Sequence, residues 1–445
     1  MKNALHALTT QGLVSIRESS FGWEGFGGAI AYYDSRKDKL VIDLPAFSEA
    51  VNALEESREV STLFGVTEAR RIALQFVFNA YPLVCAGSSV DAAFDTVWNG
   101  FAQELGTPTW TFAAVTNLQN IDCSEDPIKI EDGISVRGRS FKELETLLGW
   151  SQSRLKVLAE DWEIGRASSF VLFLEKKVPK TPDNFMLLDD GTAYLRAAQA
   201  LMALRLVAPG DVRIGRLFLA RPASFNVGIG GMQSQGVSIG HSGRQYSLTP
   251  DLIPSVRRWF SEISMLEVKG EKKIRNLALA LRSFSSMYDR HFHQDDDRIL
   301  DAITALEALW GIDAELAFRL SFRTGALLGA TDDECVAVYE TVAQYYKIRS
   351  DIVHGTPLND TKSRLVFENE PIRDVVRRTL RAFLHLANHP GEWTLSHLDK
   401  EADVALLHAG RRQALRASMA LPSEPSPNPA LQGAQAGISA LAPRP

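Results

Sequence analysis

The chain has 445 residues, with 48 Lys and Arg against 54 Asp and Glu, a formal charge of −6. That length accommodates roughly two to three domains and a sizeable core, and the mild acidity excludes a broad, histone-like grip on nucleic acid while leaving room for one local basic surface. No run reaches the roughly 18 consecutive apolar residues of a membrane-spanning helix, so no membrane partner is expected. Residues Met1–Ser15 lack a continuous apolar signal core. Three scattered cysteines, Cys85, Cys123 and Cys335, exclude a disulfide framework and fit a reducing, cytoplasmic location.

In chain order, Phe47–Leu63, Thr67–Val84 and Val90–Leu105 carry helical spacing. Thr109–Leu118, Phe170–Val178 and Arg213–Ala220 are rich in β-branched and aromatic residues and read as strands. Thr192–Val207 reads as a helix stopped by Pro209-Gly210. Asn226–Gly243, rich in Gly and Ser, reads as a loop. Residues 1–245 thus form a mixed α/β domain, free to sense or regulate. From 250 to 410 the pattern is helical, with helices over Lys272–Tyr288, Asp297–Trp310, Ala314–Leu328, Asp332–Val353 and Ile372–Ala387. Short connections suggest an antiparallel all-α bundle. Residues 422–445, rich in Pro, Ala and Ser, read as a disordered tail. The whole is of α+β class.

Common catalytic motifs are missing. There is no phosphate loop, no His-Glu-x-x-His helix and no Gly-x-Ser-x-Gly elbow. Gly228-Ile229-Gly230-Gly231 lacks the strand–turn–helix setting of a dinucleotide site. The run from His291 to Asp297 offers imidazoles and carboxylates, but its acidic residues precede a helix whose dipole and free N–H groups they complement. No metal and no cofactor is expected.

The informative segment is Tyr345-Tyr346-Lys347-Ile348-Arg349-Ser350-Asp351-Ile352-Val353-His354-Gly355. An apolar stripe runs Cys335, Val338, Val342, Tyr345 and Ile352, and Arg349 falls in phase with it. An arginine in that phase is expensive to bury unless paired or engaged by an anion. It lines a cleft or interface, or pairs with a carboxylate such as Glu307. His354 lies five residues on, about 140° round an ideal helix. Gly355 and Pro357 stop the helix there, so irregular geometry can turn His354 toward the same cleft, or His354 simply caps the helix.

Arg349-Ser350-Asp351-Ile352-Val353-His354-Gly355 resembles the Arg-x₄₋₆-His signature of the HEPN superfamily, in the Arg-Ser-x-Ile-Val-His-Gly form of its Apea-like branch. Ala305-Leu306-Glu307-Ala308-Leu309 resembles that branch's upstream Ala-Leu-Glu element, and Phe318-Arg319-Leu320-Ser321 lies between them as a middle helix would. The resemblance covers about Lys272–Asn388. It implies an HEPN-like bundle and a metal-independent endoribonuclease, of antiphage or toxin-like type, in which the RNA 2′-hydroxyl attacks the phosphate. His354 would move the proton and Arg349 would hold a phosphate oxygen through its planar fork. Glu307, Ser350 and Asp351 would support them. HEPN relatives commonly pair their bundles, which implies a homodimer with RNA as substrate, and a trigger bound by the N-terminal domain. Other HEPN proteins are inactive RNA-binding or interaction scaffolds, the alternative reading here. A third reading places the chemistry in residues 1–245, where no specific motif supports it. Arg373, Arg377 and Arg381 recur every four residues and form a ridge that either meets RNA phosphates or is a solvated helix face.

Overall fold

The computed structural model describes residues 1–18, 35–65, 68–138, 170–179, 190–220, 244–266, 272–290, 294–311, 315–419 and 421. The Gly/Ser-rich loop with Gly228–Gly231, His291 and His293, and the tail from Pro422 lie outside the described residues. The chain divides into two compact units. One comprises Met1–Leu118, Asp126–Ala197 and Ile214–Val237, the other Gln119–Glu125, Ala198–Arg213 and Ser238–Pro445. A single cut near residue 245 therefore does not separate them.

Among the described residues the first unit opens with six helices, α1 (Lys2–Glu18), α2 (Ser35–Ile42), α3 (Pro45–Glu55), α4 (Arg58–Phe64), α5 (Ala69–Cys85) and α6 (Val90–Gly106). Leu5, Leu8, Leu13 and Ile16 recur at three- and four-residue steps on α1 and are buried, the stripe an amphipathic helix needs. They join Phe47, Leu54, Phe76, Phe94 and Phe101 in one apolar core. The expected single helix over Phe47–Leu63 is two. Ser57 is extended and its hydroxyl accepts the Val60 N–H, so the chain restarts there as an N-cap.

Among the described residues seven strands follow: β1 (Thr109–Gln119), β2 (Ile121–Cys123), β3 (Ile128–Glu131), β4 (Ile134–Gly138), β5 (Phe170–Pro179), β6 (Arg213–Ala220) and β7 (Tyr246–Leu248). Five make one sheet of order β3-β4-β5-β1-β6, in which β3–β4, β4–β5 and β1–β5 are antiparallel. Ile128 and Ile130 are buried while Lys129 is exposed, the period-two signature of a half-covered strand. The β3–β4 turn passes through Asp132-Gly133. Gly133 has φ 74°, and a Cβ there would sit 2.1 Å from the Glu175 carbonyl oxygen, so only glycine fits.

The second unit is mostly helical: the latter part of α7 (Asp190–Val207), then α8 (Ile253–Met265), α9 (Lys272–Asp289), α10 (Asp295–Trp310), α11 (Leu316–Leu328), α12 (Asp332–Val353), α13 (Asp360–Phe367), α14 (Glu370–Asn388), α15 (Leu398–Leu407) and α16 (Ala409–Ser418). It is not all-α, because β2 pairs in parallel with β7. α9 packs along α10, α11 along α12, and α14 touches all four. Trp310 is fully buried, donates to Thr324 Oγ1 at 3.0 Å and meets Phe383 edge-on at 5.1 Å. Among the described residues no helix is long and apolar enough to cross a membrane.

Candidate active site

The site is built on the C-terminal end of α12. Thr331 caps the helix start, its hydroxyl accepting the Glu334 N–H, and Asp332, Asp333 and Glu334 fill the first turn, where acidic groups complement the dipole. Glu334 also accepts from the Arg378 guanidinium at 2.8 Å, fixing α12 to α14. The buried stripe is Cys335, Val338, Val342, Tyr345 and Ile348. Ile348, three residues past Tyr345, takes the inward place expected of Ile352, which is half-buried. Arg349 consequently lies beside the stripe, not within it. The Tyr345 hydroxyl reaches the backbone carbonyls of Leu365 at 3.2 Å and Glu368 at 3.1 Å, and burial raises its pKa.

The helix stops at the expected place. His354 has φ −89° and ψ 3°, and its N–H still donates to the Ser350 carbonyl at 3.0 Å. Gly355 turns left-handed at φ 66°, and the Thr356 N–H returns to the Asp351 carbonyl at 2.8 Å, satisfying carbonyls of the last turn. The His354 side chain is exposed. The Asp351 carboxylate is bound to Lys362, which ties α13 to this end of α12. Asp351 thus has a structural partner, and Ser350 contributes its carbonyl to the helix end.

Arg349 is half-buried. Its Nη2 lies 3.8 Å from Glu307 Oε2 on α10, and its guanidinium carbon is 5.8 Å from the centre of the Tyr346 ring. Burial raises the Glu307 pKa and Arg349 acts against that rise. Glu307 Oε1 is buried without a hydrogen-bond partner among the described residues. The pair is therefore a loose contact with unspent capacity on both sides: the guanidinium retains N–H groups for an anion and the carboxylate retains an acceptor.

The arginine ridge on α14 is corrected by the structure. Arg373 and Arg377 are buried, at 4% and 1% exposure. Arg373 pairs with Asp211 at 2.8 Å. Arg377 pairs with Glu370 at 2.9 Å and Asp374 at 3.0 Å, and donates to the Arg205 carbonyl at 3.0 Å. The rings and charges interleave, with the guanidinium carbons of Arg205 and Arg373 4.6 and 4.4 Å from the centre of the Tyr288 ring. α14 buries residues on most of its circumference, so the recurrence of Arg373 and Arg377 marks an inward face and not a solvated ridge. Arg381 is half-buried, and burial together with Arg377 pulls its pKa down to about 10.

One cluster escaped the sequence reading. Glu262 on α8 meets His385 on α14 and His389, the residue that caps the C-terminal end of α14. The available signal was His-x₃-His on a helix, a spacing that puts both imidazoles on one face. Its carboxylate partner lies more than 120 residues away in the chain.

Comparison of the chain with family models, with curated proteins and with solved structures finds no match.

Proposed function

We propose that the helical unit is an HEPN-type endoribonuclease acting through Arg349 and His354, with Glu307 positioning the arginine. The observation that carries this reading is the half-buried, loosely held guanidinium of Arg349, with an exposed imidazole five residues on at the irregular end of the same helix. The Arg349–Glu307 pair stands beyond hydrogen-bond length and leaves one carboxylate oxygen without a partner among the described residues, so the guanidinium keeps donors that a phosphate can use.

In the proposed reaction the 2′-hydroxyl attacks the adjacent phosphorus. The P–O5′ bond breaks, leaving a 2′,3′-cyclic phosphate and a 5′-hydroxyl. The imidazole of His354 takes the 2′-hydroxyl proton or delivers one to the departing 5′-oxygen, the general base or general acid role of a histidine. Arg349 holds the non-bridging oxygens as charge develops. One histidine supplies one of the two proton transfers, so the site is completed by a second copy of the chain. Val353, next to His354, and Phe367, on the helix that Lys362 anchors, are both exposed apolar residues that such a partner can cover.

The test incubates the purified full chain with mixed RNA and labelled oligonucleotides, without added metal, alongside Arg349→Ala and His354→Ala. Cleavage by the wild type, cyclic-phosphate ends and loss in both folded variants support the reading. Equal cleavage by all three proteins sinks it.

A further inference from the structure

The Glu262–His385–His389 cluster is separate from the residues used above, and what it can do follows from its donor set. His385 Nδ1 lies 3.3 Å and His389 Nε2 2.9 Å from the same carboxylate oxygen, Glu262 Oε1. The two rings stand 4.6 Å apart at 40°. The other carboxylate oxygen, Oε2, is occupied by the Asn388 amide at 2.8 Å, and that amide also donates to the Glu262 backbone carbonyl at 2.7 Å. Asn388 thereby fixes the carboxylate so that Oε1 faces both imidazoles. This is the supporting contact that an orienting neighbour gives a metal-ligating carboxylate.

We propose that Glu262, His385 and His389 bind a single zinc-class divalent cation, with a solvent molecule in the remaining position. Ligand atoms around a tetrahedral zinc at about 2.0–2.1 Å stand about 3.3 Å from one another. The 3.3 and 2.9 Å separations already approach those edges, and all three ligand atoms lie within 4.8 Å of one another. Two imidazoles and one carboxylate are borderline ligands suited to zinc or a neighbouring first-row ion rather than to calcium or magnesium.

The cation also resolves a conflict. Arg258 Nη2 lies 3.4 Å from His385 Nδ1, the nitrogen that faces Glu262 Oε1. A guanidinium only donates and a carboxylate only accepts. One ring nitrogen cannot accept from the first and donate to the second at once. A deprotonated Nδ1 and the carboxylate together are two acceptors turned toward one point, which a metal satisfies. Arg258 is exposed, with its guanidinium 4.9 Å from the Trp259 ring, so the side chain can swing into solvent when the cation arrives. Glu262 is buried whereas His389 is nearly half exposed, so the site has an anchored base and an open side for entry. Bound there, the ion clamps α8 to α14.

The experiment uses the tag-free full chain, stripped with chelator and dialysed, then titrated with Co²⁺ and Zn²⁺. The wild type should develop visible Co²⁺ d–d absorption that saturates at one equivalent and disappears on adding Zn²⁺. His389→Ala, at the exposed edge, should keep the wild-type circular dichroism and lose affinity by about tenfold or more, as loss of a contact in or around a metal site does. His385→Ala should behave alike. Absence of binding by the wild type overturns the proposal, as does unchanged binding in both variants. A control replaces His291 and His293 together with alanine. Retained binding supports the assignment, and loss confined to that control moves the metal elsewhere and overturns it. None of these readouts depends on RNA cleavage.

Discussion

Arg349 Nη2 stands 3.8 Å from Glu307 Oε2, beyond hydrogen-bond length, while Oε1 of the same carboxylate is buried without a hydrogen-bond partner among the described residues. Burial raises the Glu307 pKa against the pull of Arg349. A carboxyl whose folded pKa exceeds its unfolded value favours folding when protonated. Stability therefore declines as pH rises from the ordinary Glu value through the raised one. Glu307→Gln removes the buried charge and leaves Arg349 able to solvate. Its urea midpoint at pH 7 is expected to equal or exceed that of the wild type, the difference vanishing near pH 4. Cleavage should fall, because Arg349 loses the carboxylate that aims it. A variant both less stable and fully active would contradict this account.

Arg349→Lys separates charge from geometry. Lysine keeps the positive charge opposite Glu307, so the unfolding midpoint should move little. It lacks the planar fork that holds two phosphate oxygens at once. Loss of such an anchoring group lowers kcat by about 10²–10³-fold in comparable sites. Single-turnover cleavage of a labelled oligonucleotide measures it, and activity within twofold of wild type would show that Arg349 does not hold the phosphate.

Legibility in the sequence tracked the range of the forces involved. Helices with a regular apolar stripe were readable almost to the residue: Lys272–Tyr288 was expected and Lys272–Asp289 is found. The stop at Gly355 was also readable, because a left-handed glycine before Pro357 is a local signal. Some local signals were passed over. Asp132-Gly133 between the alternating residues of Ile128–Ile130 and Ile134–Val136 is a hairpin signature, and α1 carries a plain stripe. The arginine ridge was of another kind. Periodicity shows that Arg373 and Arg377 share a face but not where that face points, and Asp211, the partner that pulls Arg373 inward, is 162 residues earlier. Glu262 is equally remote from His385 and His389, so the cluster exists only in the fold.

Asp211 and Arg373 make the clearest acid-sensitive contact. Burial works to raise the Asp211 pKa, but Arg373, the Arg244 backbone N–H and Arg298 outweigh it and hold it below the ordinary value. A depressed carboxylate contributes stability that is present above its unfolded pKa and lost as pH falls through the folded one. The urea midpoint of the second unit is expected to drop as pH is lowered below about 4. Asp211→Asn should flatten that part of the acid limb and cost about 1–3 kcal/mol at pH 7, because buried Arg373 loses its shorter carboxylate contact and keeps only Glu370, at 3.4 Å. An unchanged acid limb in the variant would remove Asp211 from the explanation.

Gly329 lies in the short connection between α11 and α12. Its backbone is ordinary, at φ −73° and ψ 123°, so the requirement for glycine is one of space. A Cβ there would lie 2.4 Å from Cys335 Sγ, 2.5 Å from its backbone nitrogen and 2.7 Å from its Cα. The thiol can rotate away but the backbone atoms cannot, so α12 must shift. Gly329→Ala is expected to destabilise by about 1–3 kcal/mol, the usual cost of overpacking, whereas Gly391→Ala, with nothing within 4 Å of the new methyl, should cost far less. Because α12 carries Arg349 and His354 at its other end, the displacement should also lower cleavage in Gly329→Ala under conditions where the protein remains folded. Denaturation curves and cleavage rates measured on the same preparations test both parts, and full activity in a destabilised Gly329→Ala would mean that the helix gives way near Cys335 without moving the site.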